Sequence, residues 1–217
     1  MENNYTVSAQ CYLNRAKKLL SSNKPENLVY SALELRAGIE ARMQEYLEAQ
    51  NHISNKMKKG WQIAHLGKNI EKAFKTGDKV AEIKIYDNEQ RVPIAILYYT
   101  PITSELRSDA QRLGGYLHAL DAELISNNTW WNEFRQLLKK IEKQLHEAAS
   151  GVLLGPPIMQ KSTNHSTMSI SGISDRELKY LNRKMAENAH VTIKVDYLDG
   201  LPNNANSHIF LPKLTST

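Results

Sequence analysis

The 217-residue chain has a single cysteine, Cys11, so neither an intrachain disulfide nor a cysteine-based zinc site can form. It also lacks a long hydrophobic run. The longest, Val92 to Tyr99, contains Pro93 and is less than half a bilayer span. The opening Met1-Glu2-Asn3-Asn4 is acidic and polar where a secretory leader would be basic and then apolar. There is no glycine-rich phosphate loop, because Leu113-Gly114-Gly115-Tyr116 lacks the lysine and the spacing. The seven histidines form no His-Glu-x-x-His pair, and the serine-rich stretches hold no nucleophile elbow. These absences lead to the expectation of a soluble, cytoplasmic protein with no membrane partner, no metal and no bound cofactor, and with Cys11 as a buried structural thiol.

What is present suits a globular fold: 41% of residues are hydrophobic and 24% charged, over a length that can enclose a sizeable core. Lysine and arginine exceed aspartate and glutamate by five. Residues 51–80 alone carry that excess, with Lys56, Lys58, Lys59, Lys68, Lys72, Lys75 and Lys79 against Glu71 and Asp78. Such a cluster attracts phosphates in a salt-dependent way, and equally suits a solvated helix face.

Five segments repeat apolar residues every three or four positions. They are 6–21 (Val7, Cys11 and Leu19/Leu20 inward), 26–49 after Pro25 (Leu28, Ala32, Leu35, Ile39, Met43, Tyr46), 61–75 (Ile63, Leu66, Ile70, Phe74), 102–125 after Pro101 (Leu106, Ala110, Leu113, Leu117, Leu120, Leu124), and 129–149 after an Asn-Asn-Thr start (Trp130, Phe134, Leu137, Ile141, Leu145, Ala148). Between the third and fourth, Lys79–Tyr86 and Val92–Tyr99 read as a β-hairpin inserted into a helical bundle, with Pro93 placing its strand at an edge. Composition shifts at Gly151. Beyond it, Ser174-Asp175-Arg176-Glu177 is a capping box for a helix at 175–188, with strands expected at Thr167–Ile170, Val191–Tyr197 and Ile209–Leu211. The expected organisation is a mainly α bundle over 1–150 that includes the hairpin at about 79–99, then a small α/β extension over 151–217.

The chemistry-bearing residues gather on two helices. In the fourth, Arg112 and His118 stand six residues apart in Arg112-Leu113-Gly114-Gly115-Tyr116-Leu117-His118. In the second, Leu33-Glu34-Leu35-Arg36-Ala37-Gly38-Ile39-Glu40 has the form Glu-x-Arg-x-x-x-Glu. Together these motifs resemble the HEPN superfamily over residues 5–149. Its ribonuclease members are bundles of four or five helices with an Arg-x(4–6)-His motif, found among bacterial defence and toxin proteins. The resemblance implies a HEPN-like antiparallel bundle and a metal-independent endoribonuclease, with Arg112 and His118 catalytic and Glu34, Arg36, Glu40 and Tyr116 auxiliary. Leu113 stands where ribonuclease members usually carry a polar residue. The alternative is a non-catalytic module that binds a partner protein or a nucleotide.

Histidine suits this chemistry because its pKa near 6.5 lets it take or give a proton at neutral pH, and arginine offers a planar fork to phosphate oxygens. Lys56, Lys58, Lys59, Lys68 and Lys72 would then draw in RNA. On a straight helix, six residues turn about 600° and leave the two side chains about 120° apart. Convergence therefore calls for a kink at Gly114-Gly115, or for a homodimer whose interface lies near Arg112 and His118. Trp131 is a further residue on which a base could stack, and Tyr98-Tyr99 are expected to pack within the hairpin.

Overall fold

A computed structural model describes residues 6–22, 24–50, 53–58, 63–87, 92–117, 128–154, 174–187 and 191–211. The chain is mostly helical with one small antiparallel sheet, and it divides into two compact units. The first comprises residues 1–77 and 102–149, and the second 78–101 and 150–217.

The first unit is a helical bundle. It contains α1 (Ala9–Leu20), α2 (Pro25–Glu48), the short α3 (Asn55–Lys58), α4 (Ile63–Phe74), α5 (Ser104–Leu117) and α6 (Asn128–Ser150). Pro25 opens α2, where its missing N–H costs nothing, and Ser8 caps α1 by accepting a hydrogen bond from the Cys11 backbone N–H. The expected stripes on the long helices are inside, except for Trp130 and Leu117, which are half-exposed. Leu28, Ala32, Leu35, Ile39, Met43 and Tyr46 of α2 are buried, as are Leu66, Ile70 and Phe74 of α4, Leu106, Ala110 and Leu113 of α5, and Phe134, Leu137, Ile141 and Leu145 of α6. Gly38 lets three helices approach closely: a Cβ there would lie 2.9 Å from Leu145 of α6 and 3.1 Å from Tyr12 of α1. A buried polar cluster ties their ends together. Arg42 Nε and Tyr46 Oη both donate to the Ala148 carbonyl near the end of α6, while Glu45 accepts from the Ala9 N–H at the start of α1.

Helix α1 is in a different phase from the one expected. Ala9, Leu13, Ala16 and Leu20 are buried, whereas Val7 is exposed and Cys11 and Leu19 are half-exposed. The buried face combines Ala9 and Ala16 with Leu13 and Leu20, so Leu20 is inside as expected while Val7, Cys11 and Leu19 are not. Cys11 is thus not a buried thiol; hydrogen bonds with Ser8 and Thr6 hold its pKa below the ordinary thiol range. Helix α5 passes through Gly114-Gly115 without interruption as far as Leu117, which is half-exposed. Leu120 and Leu124 of the expected stripe lie outside the described residues, as does the Thr167–Ile170 strand.

The second unit is built on β1 (Val80–Asp87), β2 (Ala95–Tyr99), β3 (Val191–Leu198) and β4 (His208–Ile209), with α7 (Asp175–Glu187). The sheet order is β3-β1-β2-β4 and every pairing is antiparallel. The hairpin is where it was expected, but it belongs with the tail rather than the bundle. The physical reason is the ladder: β1 pairs with β3 along its whole length, from Val80 opposite Leu198 to Asp87 opposite Val191. Nor is β2 an edge. Pro93 precedes the strand, so its missing N–H spares the ladder, and β2 lies between β1 and β4.

Alternation sorts the sheet into two faces. Ala81, Ile83, Ile85, Ala95, Leu97 and Tyr99 are buried, and Glu82, Lys84, Tyr86, Ile96 and Tyr98 are half-exposed on the opposite face. Val152 donates to the Tyr98 carbonyl at 2.7 Å, and a Cβ on Gly151 would come within 2.7 Å of that same oxygen. Only glycine allows this approach. On α7, Leu181 is fully buried and Lys184 Nζ meets the buried Asp87 carboxylate at 3.1 Å.

The capping box forms as expected. Ser174 N–H donates to Glu177 Oε2 at 2.8 Å, and Glu177 N–H donates to Ser174 Oγ at 3.3 Å. The first bond holds the Glu177 carboxyl below its ordinary pKa. A depressed acid contributes stability above its unfolded pKa and loses it as pH falls through the folded value. Acidification should therefore fray α7, and Glu177→Gln, which removes the titrating group, should remove that acid step from a far-UV circular-dichroism titration.

Candidate functional site

Helix α5 presents Arg112 on its surface while Leu113 anchors it in the core. The arginine is held from behind: its Nη1 lies 3.2 Å from Oδ1 of Asp109, one turn earlier. That carboxylate is almost fully buried, and its other oxygen meets Lys140 Nζ of α6 at 2.7 Å. Lys140 also reaches Glu105 at 2.7 Å, and its pKa is raised by the bonds to Asp109 and Glu105. Asp109 thus spans two cations and holds one terminal nitrogen of Arg112, whose side chain remains 58% exposed. Among the described residues Asp109 is the one polar partner of Arg112. A guanidinium held on one side and open on the other suits an incoming phosphate.

The second motif lies along α2. Arg36 Nε bonds Glu40 Oε1 at 3.3 Å, as expected from the i,i+4 spacing, and the guanidinium lies against Gly114 of α5. A Cβ on Gly114 would stand 3.2 Å from Arg36 Nη1. Glu34 is engaged elsewhere, with Arg15 of α1 at 2.8 Å, and Arg15 in turn lies over the Tyr12 ring. Positions 112 and 114 are about 200° apart around a helix, so Arg112 and Arg36 flank opposite sides of α5. Arg36 and Glu40 come together; Arg112 and Arg36 do not. His118 lies outside the described residues.

Tyr116 is a packing residue. Its ring stacks on Phe134 at 4.6 Å with only 6° between planes, and lies 5.5 Å from Trp130. Trp130 meets Trp131 edge to face at 4.7 Å, so α5 and α6 share an aromatic cluster. Trp131 is half-buried and lines an open cleft of about 450 Å³ with Pro25, Leu28, Asn128, Asn132 and Arg135. Arg135 closes one side of it by donating to the Leu20 and Ser22 carbonyls. Tyr98 and Tyr99 sit on opposite sheet faces: Tyr99 is buried, and Tyr98 Oη bonds Glu82 at 2.9 Å.

The lysines are dispersed. Lys56 is exposed on α3, and Lys58 is half-exposed with a 3.4 Å contact to the Glu48 carbonyl. Lys68 and Lys72 share an exposed face of α4, one turn apart, and Lys59 lies outside the described residues. On the same helix, Glu71 is paired with Arg107 of α5 at 2.6 Å.

Sequence reasoning missed Asp109, Lys140 and Arg42. The i,i+3 spacing of Asp109 to Arg112 was a readable signal; the reach of Lys140 from α6 was not. Among the described residues, no three His, Cys, Asp or Glu side chains gather where they could hold a metal ion, and no helix is long and apolar enough to cross a membrane. No family model matches the chain, and neither the curated proteins nor the solved structures contain a match to it.

Proposed function

We propose that the helical unit is a HEPN-like module acting as a metal-independent endoribonuclease, with α5 as its working surface. The observation that carries the reading is Arg112: a guanidinium exposed on a helix and fixed from behind by a buried carboxylate that is itself held by Lys140. Such an arm stabilises charge developing on a phosphate without reorganising first. Arg36, placed against Gly114 four residues before His118, supplies a second fork on the other flank, so a strand crossing α5 meets a cation on each side.

In the reaction, His118 takes the proton from a ribose 2′-hydroxyl. The freed oxygen attacks the adjacent phosphorus, the bond to the 5′-oxygen breaks, and a 2′,3′-cyclic phosphate forms. The leaving 5′-oxygen needs a proton, which an imidazolium can return. Because α5 runs uninterrupted through Gly114-Gly115, Arg112 and His118 of one helix point about 120° apart, so the Arg112 of a second copy paired at α5 neutralises the extra charge on the phosphate between these events. Lys68 and Lys72 of α4 raise the local concentration of RNA.

The alternative, a non-catalytic module of the same kind, draws on Leu113. It is fully buried, so the position beside Arg112 serves packing. Incubating the purified protein with RNA in excess chelator separates the two. The ribonuclease reading expects cleavage that His118→Ala abolishes, with thermal stability changed little, and that Arg112→Lys fails to support because a point charge does not reproduce the fork. Wild-type protein that binds RNA or a nucleotide without cutting selects the alternative.

A further inference from the structure

We infer that the cleft lined by α2 and α6 binds a purine nucleotide, with the base against Trp131 and the phosphate at Arg135. This does not rest on the ribonuclease reading: it concerns binding, and it uses none of the residues placed in cleavage. Helical spacing sets the lining. Asn128, Trp131, Asn132 and Arg135 fall at i, i+3, i+4 and i+7 of α6 and so share one face over two turns. Pro25 and Leu28, one turn apart on α2, supply the rest. The volume of about 450 Å³ lies in the range of small-ligand sites, about 300–1,000 Å³.

Each kind of side chain in the cleft restricts the ligand. None of the six lining residues is acidic and one is a cation, so the cleft suits an anion. Arg135 spends one nitrogen, Nη1, on the Leu20 and Ser22 carbonyls at 3.3 and 3.1 Å, which fixes its guanidinium. Its Nε–H and Nη2–H remain as the adjacent edge of the fork, the edge that grips phosphate oxygens. Asn128 and Asn132 are exposed, and among the described residues their amides make no hydrogen bond. A carboxamide sets a donor beside an acceptor, which pairs with a donor and acceptor side by side on a base edge, as at N6 and N7 of adenine. Trp131 is braced edge to face by Trp130 at 4.7 Å and brings a flat ring to the cleft wall.

A simple anion would leave the indole and the amides unused, and an uncharged ring would leave the guanidinium unused. A nucleotide engages all three. A purine covers more of the indole than a pyrimidine does, and stacking strength sets the preference where hydrogen bonding tolerates several bases.

Isothermal titration calorimetry of the full chain with AMP tests the site. AMP should bind, and adenosine and ribose 5-phosphate should each bind about tenfold or more weakly, because each lacks one anchor. Asn128→Asp and Asn132→Asp are nearly isosteric changes at exposed positions, and each puts a negative charge at the cleft. Each should weaken AMP binding about tenfold or more while the thermal unfolding midpoint stays put, since an acid near the start of α6 suits the helix. Arg135→Gln should weaken it as well; because that change also releases the α1 carbonyls, the asparagine variants decide if it unfolds. A 2′-O-methyl adenosine hexanucleotide, which has no 2′-hydroxyl to react, identifies the source. Binding tighter than AMP and still weakened by Asn132→Asp supports the site as one that holds a residue of a strand; binding no tighter supports it as a site for the free nucleotide. Neither AMP nor the hexanucleotide binding at millimolar concentration overturns the inference. So does adenosine binding as tightly as AMP, or AMP affinity unchanged in both aspartate variants.

Discussion

Arg42→Ala should destabilise the helical unit by about 3–5 kcal/mol, the range for removing one partner from a buried charged cluster. Arg42 is only 2% exposed. Its Nε donates to the Ala148 carbonyl at 3.0 Å, its Nη1 pairs with Glu45 at 3.1 Å, and its guanidinium lies 4.5 Å from the Tyr46 ring centre. Through these contacts it links the end of α6 to the last third of α2, and through Glu45 to the first turn of α1. Alanine would remove all of them and leave a cavity. Tyr46→Phe is the control: it removes one hydrogen bond to the same carbonyl and should cost about 1 kcal/mol. Urea unfolding followed by circular dichroism measures both. A loss below 1 kcal/mol for Arg42→Ala would mean that the cluster does not hold the three helices together.

Phe134→Ala should cost a similar amount, about 3–5 kcal/mol, by a different route. Phe134 is fully buried, stacks on Tyr116 and lies 5.4 Å from Trp130. Truncation opens a hole between α5 and α6 and removes the surface on which Tyr116 rests. The near-ultraviolet dichroism of the coupled rings should collapse with it. Phe134→Leu keeps most of the volume and should recover more than half of the lost stability. An unchanged near-ultraviolet spectrum in Phe134→Ala would contradict the aromatic cluster.

Much of the bundle was legible because α2, α4 and α6 repeat large apolar residues at helical spacing over many turns. Leu35, Ile39 and Met43 could scarcely face water together. The phase of α1 was harder to read because half of its buried face, Ala9 and Ala16 beside Leu13 and Leu20, is alanine, which carries little hydrophobic weight but permits close approach. The sheet was legible only in part. The hairpin has a local signal, alternation around a turn, whereas the β1–β3 ladder joins strands from distant parts of the chain with no local trace. That is why the hairpin read as a bundle insertion and turned out to be the foundation of a second unit.

The candidate site divides along the same line. Contacts within a helix could be anticipated from spacing, as with Arg36 and Glu40. Contacts between helices could not: Lys140 reaches Asp109 from α6, and Glu34 turns to Arg15 of α1 rather than joining Arg36. Tyr116 carried a motif position in the sequence but serves the α5–α6 packing in the structure.

The central claim is chemical, and the ends of the reaction products test it most directly. In chelator, a labelled RNA and the same strand with 2′-deoxyribose throughout would be incubated with the protein, and the product termini identified by mass spectrometry. Attack by the 2′-hydroxyl predicts 2′,3′-cyclic phosphate ends on the RNA products, no cleavage of the deoxy strand, and no products of either kind with His118→Ala. Cleavage of the deoxy strand, products bearing 5′-phosphates, or intact RNA at the end of the incubation would contradict it.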